Sequence, residues 1–188
     1  DVRVLLSRTS DEDDPLTEEI KECNAFNPDL AIDVHNNAGQ GDGFECFYHY
    51  NGGTGKTLAQ NIEAEVKAIG QNSRGCKIRL NSDGADYYGF VRETACPAVI
   101  VEGCFVDNAT DVQIADSIEE QKAFGVAYAK GILKTLGISL KENQAKLKPL
   151  SSAKYYVQVG AYVQKENAER QLQKAKNAGF ADAFIRAT

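Results

Sequence analysis

Pro97-Ala98-Val99-Ile100-Val101-Glu102-Gly103 is the stretch on which the fold turns. Four apolar residues between a proline and a Glu-Gly pair read as a short buried strand. Upstream, Leu30-Ala31-Ile32-Asp33-Val34-His35 is a second strand bounded by polar turns. Phe44 to Tyr50 (FECFYHY) is an aromatic strand, and Val2-Arg3-Val4-Leu5-Leu6 is an opening one. Helical periodicity fills the intervals. In Leu16 to Phe26 the residues Ile20, Cys23 and Phe26 share a face, Thr17 is placed to cap the start, and Asn27-Pro28-Asp29 stops the helix. Gly52 to Gly55 is a loop feeding a helix from Thr57 to Ile69, whose Leu58, Ile62, Val66 and Ile69 form a stripe. A last helix runs from about Val112 to Leu136, broken near Ser117, with Gly137 as its C-cap. Alternating strands and helices predict an α/β fold, a twisted mostly parallel sheet flanked by helices.

Beyond that unit the pattern changes. Residues 138–153 have no periodic apolar face and read as a linker. Residues 154–188 then spell strand (Tyr155 to Tyr162), helix (Glu166 to Ala178, ending at Gly179) and strand (Ala183 to Ile185), one βαβ unit too small to bury a core alone. Charge divides in the same place. Residues 1–140 carry 12 Lys and Arg against 23 Asp and Glu, a balance of −11, while residues 141–188 carry 9 against 4, a balance of +5. Two modules with different partners follow from that asymmetry, and the basic end is too lightly charged for nucleic acid.

At 188 residues, 43% hydrophobic and 26% charged, the composition excludes wholesale disorder, collagen and coiled coil. No stretch reaches the roughly 18 consecutive apolar residues of a membrane span. The chain contains no methionine and opens at Asp1 directly on a strand-like run, so it reads as a fragment or a processed product. Its five cysteines form no CxxC pair and read as small packing residues.

Three places compete for chemistry. Gly52-Gly53-Thr54-Gly55-Lys56-Thr57 ends like a phosphate-binding loop, but Tyr50 stands where the first glycine is needed, and a flexible loop whose Thr57 opens a helix is the preferred reading. His35, at the carboxyl end of a strand and followed by Asn36 and Asn37, lies where open α/β sheets place their sites. Metal ligand, acid–base group and structural histidine all remain open for it. His49, inside the aromatic strand, reads as a packed or edge residue. Glu102 ends a buried strand, where desolvation raises a carboxyl pKa towards general-base values; a surface carboxylate is the alternative. If their strands are neighbours, His35 and Glu102 make half of a zinc hydrolase site, a metal to polarise water and a carboxylate to take its proton.

Four segments then align with one family. Val4 to Asp11 (VLLSRTSD), Asn27 to Asn37 (NPDLAIDVHNN), Gly43 to Tyr48 (GFECFY) and Phe90 to Asn108 (FVRETACPAVIVEGCFVDN) resemble, in order and spacing, the zinc-dependent N-acetylmuramoyl-L-alanine amidases of the type-3 class. The likeness covers about residues 1–136, with 1–137 as the catalytic domain. It implies peptidoglycan as partner, Zn2+ as cofactor and cleavage of the amide joining muramic acid to L-alanine. It implies His35 of the H-x-N element as a metal ligand, Glu102 as the catalytic acid–base, and Asn37 and Arg92 as substrate-binding residues. The family's other two ligands, a histidine in a glycine-rich turn and a glutamate after it, precede the strand that opens this chain. The resemblance therefore implies a core lacking its first strand, weak zinc binding and little activity for this polypeptide.

The segment YYVQVGAYVQKENAERQLQKAKNAGFADAFIRAT, within residues 154–188, resembles half of a SPOR-type peptidoglycan-binding domain. Together the two resemblances imply a cell-wall amidase carried to the wall by its second module, acting outside the cell, in a spore mother cell or in a phage-infected one. A non-catalytic peptidoglycan-binding protein and a nucleotide-binding protein are the competing expectations.

Overall fold

The computed structural model describes residues 2–10 and 13–139, with positions 165, 169, 170, 172, 173 and 176 beyond them. The chain divides into two compact units, Asp1–Lys141 and Glu142–Thr188. In the second, the described positions are helical, with Lys165 Nζ 3.3 Å from Glu169 Oε1. They fall at or beside the helix expected over Glu166 to Ala178. The two strands expected around it, and nearly all of the expected linker, lie outside the described residues.

The first unit runs α1 (Leu16–Phe26), β1 (Ala31–Asn37), β2 (Phe44–Tyr48), α2 (Gly53–Ala68), β3 (Ser73–Lys77), α3 (Gly89–Glu93), β4 (Ala98–Phe105), a 3-10 turn (Asp111–Ile114) and α4 (Ile118–Thr135). The strands form one sheet in the order β1-β4-β2-β3. β1–β4 and β2–β3 are parallel and β2–β4 antiparallel. Apart from Glu102, β4 is buried along its whole length. Its side chains alternate between two cores, as the pleat requires. Val99 and Val101 pack with Leu58, Ile62 and Val66 of α2 and Phe124 of α4. Ala98 and Ile100 pack with Ile20 of α1 and with Phe90 and Val91 of α3. Helices thus cover both faces. The fully buried Phe44, Leu58, Ile62, Val66, Val99 and Val101 each contribute roughly 1.5–3 kcal/mol.

Several local expectations are corrected. Val2 to Leu6 forms no strand: among the described residues it has no ladder partner, and its aliphatic side chains are exposed, so alternation alone did not suffice. Thr17 lies inside α1. Pro15 stands at the cap, its carbonyl accepting from the Glu18 and Glu19 amides, and Asn27 ends the helix in the left-handed region at φ 51°. α2 begins at Gly53 rather than Thr57, and β2 stops at Tyr48, leaving His49 outside the sheet. β3 and α3 have no counterpart in the sequence reading. β4 continues past Glu102 to Phe105, because Asn37 on one side still offers it a partner. The break near Ser117 is a capping box, in which the Ser117 side chain accepts from the Glu120 amide and the Glu120 side chain accepts from the Ser117 amide.

α2 and α4 meet over Gly131. A Cβ there would stand 2.6 Å from Ile62 Cγ1 and 2.7 Å from its Cα and N, and that backbone cannot swing aside. Gly131→Ala is expected to force the helices apart and cost about 1–3 kcal/mol, read as a lowered thermal midpoint. An unchanged midpoint would show that the two helices separate freely.

Candidate active site

One row of side chains crosses the sheet where β1, β4 and β2 lie side by side. His35 is the register partner of Glu102 across the parallel β1–β4 ladder, and Glu45 is its partner across the antiparallel β2–β4 ladder. Directly opposed residues share a face, so all three project towards the side covered by α1 and α3. Glu102 therefore sits within β4, not at its end as expected from Gly103. Burial raises its pKa, neighbouring Glu45 and Asp33 add to the rise, and His35 opposes it. Its Oε2 is buried and has no hydrogen-bond partner among the described residues.

His35 is half exposed, with Nε2 2.9 Å from Oδ1 of Asp33, two positions earlier on the same face. That hydrogen bond is the main cause of a raised imidazole pKa. Burial works against it, and the charges of Asp33, Glu102 and Glu19 reinforce it. Residues from 2–8, α1 and β1 enclose a groove of about 1340 Å3, into which Asp14, Glu19, Asp33, His35 and Glu102 open.

On the β2 side, Glu45 is 6% exposed, a buried charge that requires partners. Asn37 Nδ2 donates to its Oε2 at 3.1 Å, while Arg74 Nε, at 2.6 Å, and Lys77 Nζ donate to its Oε1. Burial would raise the Glu45 pKa, but the Lys77 and Arg74 hydrogen bonds outweigh it and hold the carboxyl below its ordinary value. A bulge makes this possible. The β2–β3 register shifts between Phe44 and Cys46, opposite the stretch holding Gly75 at φ 93°. An extra residue there bends β3 and re-aims its side chains.

The loop after β1 is fastened by two carboxylates. Asp107 accepts from the amides of Gly39 and Gln40. Asp111, 3% exposed, accepts from Gly43 N at 2.9 Å, Phe105 N at 2.7 Å and Gln71 Nε2 at 2.8 Å.

His35, Glu102 and Asn37 are thus brought together, whereas Arg92 is not. Arg92 lines a small hollow at the opposite end of β4 with His49, Gly52 and Ala98. Its guanidinium donates to the carbonyls of Asp86 and Tyr87 and to Glu93. His49 is held structurally, with Nε2 3.2 Å from Asp86 Oδ2 and Nδ1 accepting from Asn51 N. Residues 53–57 form the first turn of α2, where Thr57 Oγ1 donates back to the Gly53 carbonyl instead of lining a phosphate cradle. Glu45, Arg74, Lys77 and Asp111 went unnoticed in the sequence. The available signal was Glu45 itself, the one charge in the apolar run Phe44 to Tyr48.

The N-acetylmuramoyl-L-alanine amidase family matches residues 1–134, and the SPOR domain matches residues 151–188. The chain belongs to this amidase family. It is 33% identical over 186 residues to the N-acetylmuramoyl-L-alanine amidase CwlM of Bacillus licheniformis, covering 98% of this chain and 67% of that protein. It is 31% identical to the sporulation-specific N-acetylmuramoyl-L-alanine amidase of Bacillus subtilis, covering 95% of this chain and 65% of that one. The chain thus spans about two thirds of these relatives. Among solved structures, Cwp6 from Clostridium difficile superposes with a TM-score of 0.70 at 33% identity, over 72% of this chain and 22% of that one.

Members of the family are in general zinc-dependent. The residues present do not complete such a centre: among the described residues no group of three His, Cys, Asp or Glu side chains is placed to hold a metal. A catalytic zinc takes three protein ligands, and the row offers one imidazole.

A carboxyl whose pKa is higher folded than unfolded holds its proton more tightly in the folded state, so it destabilises the fold once pH rises above the ordinary carboxylate range. Glu102→Gln is therefore expected to melt above the wild type near neutral pH in the presence of EDTA, with the gap closing in acid. A lower midpoint at neutral pH would mean that the Glu102 carboxylate is favourably paired.

Proposed function

We propose that the first unit is the catalytic part of a peptidoglycan hydrolase that cleaves the amide between the lactyl group of N-acetylmuramic acid and L-alanine. The observation that carries this reading is the buried, unpartnered Oε2 of Glu102 beside its register partner His35. An orphan carboxylate oxygen costs stability, and a raised pKa suits a group that must take up and return a proton. Glu102 accepts a proton from the attacking water as its oxygen bonds to the carbonyl carbon. It then delivers that proton to the amide nitrogen as the C–N bond breaks, leaving the lactyl carboxyl group, which keeps the second proton of the water, and the free amine of L-alanine. When bound, zinc would supply polarisation of water and carbonyl in this family. Among the described residues only His35 is offered to it, so the steps assigned are those of Glu102. Asn37 acts through Glu45, whose carboxylate it orients.

The second unit, matched by the SPOR domain, is the wall-binding module of the same reading, with residues 138–153 as linker. Its net charge of +4 over residues 142–188, 8 Lys and Arg against 4 Asp and Glu, fits an anionic wall, and tethering to the polymer raises the effective concentration of substrate at the first unit. Wall or extracellular action follows, or lysis from within a spore mother cell or phage-infected cell. No helix of the described residues is long and apolar enough to cross a membrane.

A non-catalytic peptidoglycan-binding protein is the second reading, favoured by the incomplete donor set. Zinc titration of residues 1–188 is expected to show binding well short of the roughly 10–16 kcal/mol that complete structural zinc sites reach. Tight stoichiometric zinc would overturn the assignment of His35 as sole donor. In a form of the protein that turns over peptidoglycan, Glu102→Gln is expected to lower release of L-alanine amino groups by about 10²–10⁴-fold with metal content unchanged. His35→Ala is expected to lower both. Loss of metal from Glu102→Gln would make Glu102 a ligand, and absence of turnover in every metal-loaded form would favour the binding protein.

A further inference from the structure

We propose that Arg74 and Lys77 form a carboxylate-binding subsite that reads a free carboxylate on the peptide side of the cleaved amide. The proposal rests on the amidase reading and gives the substrate a direction across the sheet.

Two cations converge on one carboxylate. Arg74 Nε and Lys77 Nζ both donate to Oε1 of Glu45, so the cluster keeps one positive charge in excess. Neither cation is sealed in, with the side chains 46% and 35% exposed. The Nη groups of Arg74 make no hydrogen bond among the described residues, and the guanidinium lies 5.4 Å from the centroid of the Phe105 ring, which steadies its plane. A planar guanidinium with free N–H groups is the side chain best suited to paired hydrogen bonds to a carboxylate.

The distances suit a peptide. Neighbouring strands are about 4.8 Å apart, so cations grasping Glu45 from β3 lie roughly 5–10 Å from Glu102, across one or two strand spacings. An extended chain advances about 3.5 Å per residue, which puts a carboxylate on the second stem residue about 7 Å from the cleaved bond. The opposite side of the row repels it. Asp14, Glu19, Glu22, Asp29 and Asp33 line the groove beside His35 and outnumber its two arginines, Arg3 and Arg8. An anionic peptide therefore runs from β4 over β2 to β3, with the uncharged sugar left on the acidic side.

The test uses the full chain in calorimetric titrations with two soluble probes. One is N-acetylmuramoyl-L-alanyl-D-glutamate with its γ-carboxyl capped as the methylamide, so that the α-carboxylate is its one charge, and the other is the same capped compound with the α-carboxyl converted to the carboxamide. The acid is expected to bind about five- to tenfold tighter at low ionic strength, with the advantage shrinking as salt rises. Arg74→Gln should bring the ratio towards one while leaving amide affinity unchanged, Lys77→Gln should lower it part of the way, and Arg74→Lys should keep part of it. A purely structural role for the cations would leave the ratio unmoved. The wild-type comparison needs no variant, so it stands even if a weakened Glu45 cluster unfolds. Equal affinities for acid and amide overturn the subsite and leave the amidase reading intact. Binding of neither probe overturns both.

Discussion

The site depends on β4 being paired along both edges at once. Its outer neighbour β1 supplies His35 and its inner neighbour β2 supplies Glu45, and both are opposed to Glu102 by hydrogen-bond register rather than by side-chain contact. That register is held by burial. Ala98 and Ile100 belong to one core and Val99 and Val101 to the other, so a slip of one residue would carry Glu102 into the apolar side under α2 and α4. The energy that aligns His35, Glu102 and Glu45 is therefore spread through the two cores, and the polar row itself contributes little to it. This arrangement tolerates an orphan carboxylate oxygen in the middle of the sheet, because the surrounding packing over-determines its place.

The architecture was legible wherever hydrophobic burial dominates. Ala98 to Val101 announced the central strand, Ile20, Cys23 and Phe26 announced α1, and Ser117 announced the break before α4. It failed where elements are held by their neighbours. Ser73–Lys77 carries a glycine and two cations and has no period of its own; it becomes β3 because β2 leaves an edge for it. Val2 to Leu6 has the opposite character, strand-like in composition but without a ladder to join among the described residues. The short α3 was hidden because five residues are too few to display a period.

The site shows the same division. His35 and Glu102 stood out because each follows an apolar run, and parallel pairing of those runs joined them. Arg92 was singled out by resemblance alone, and the fold commits its guanidinium to backbone carbonyls at the far end of β4. Glu45 was signalled only as a lone charge in an apolar run, and Arg74 and Lys77 were invisible because their partnership with it is made by a bulge, a backbone irregularity without a periodic signature. Asp111 likewise draws its three donors from Gly43, Gln71 and Phe105, segments far apart along the chain that only the finished fold brings together.

Of the two carboxylates that fasten the loop after β1, Asp107 also governs how that loop meets acid. Amide donors from Gly39 and Gln40 hold the pKa of Asp107 below its ordinary value, so its grip is complete above the normal carboxylate range and is lost only as pH falls through the lowered value. Unpaired surface carboxylates take up protons before that clasp lets go. In mild acid much of the outer surface is therefore discharged while Asp107 keeps its hold on the loop beside His35 and Asn37.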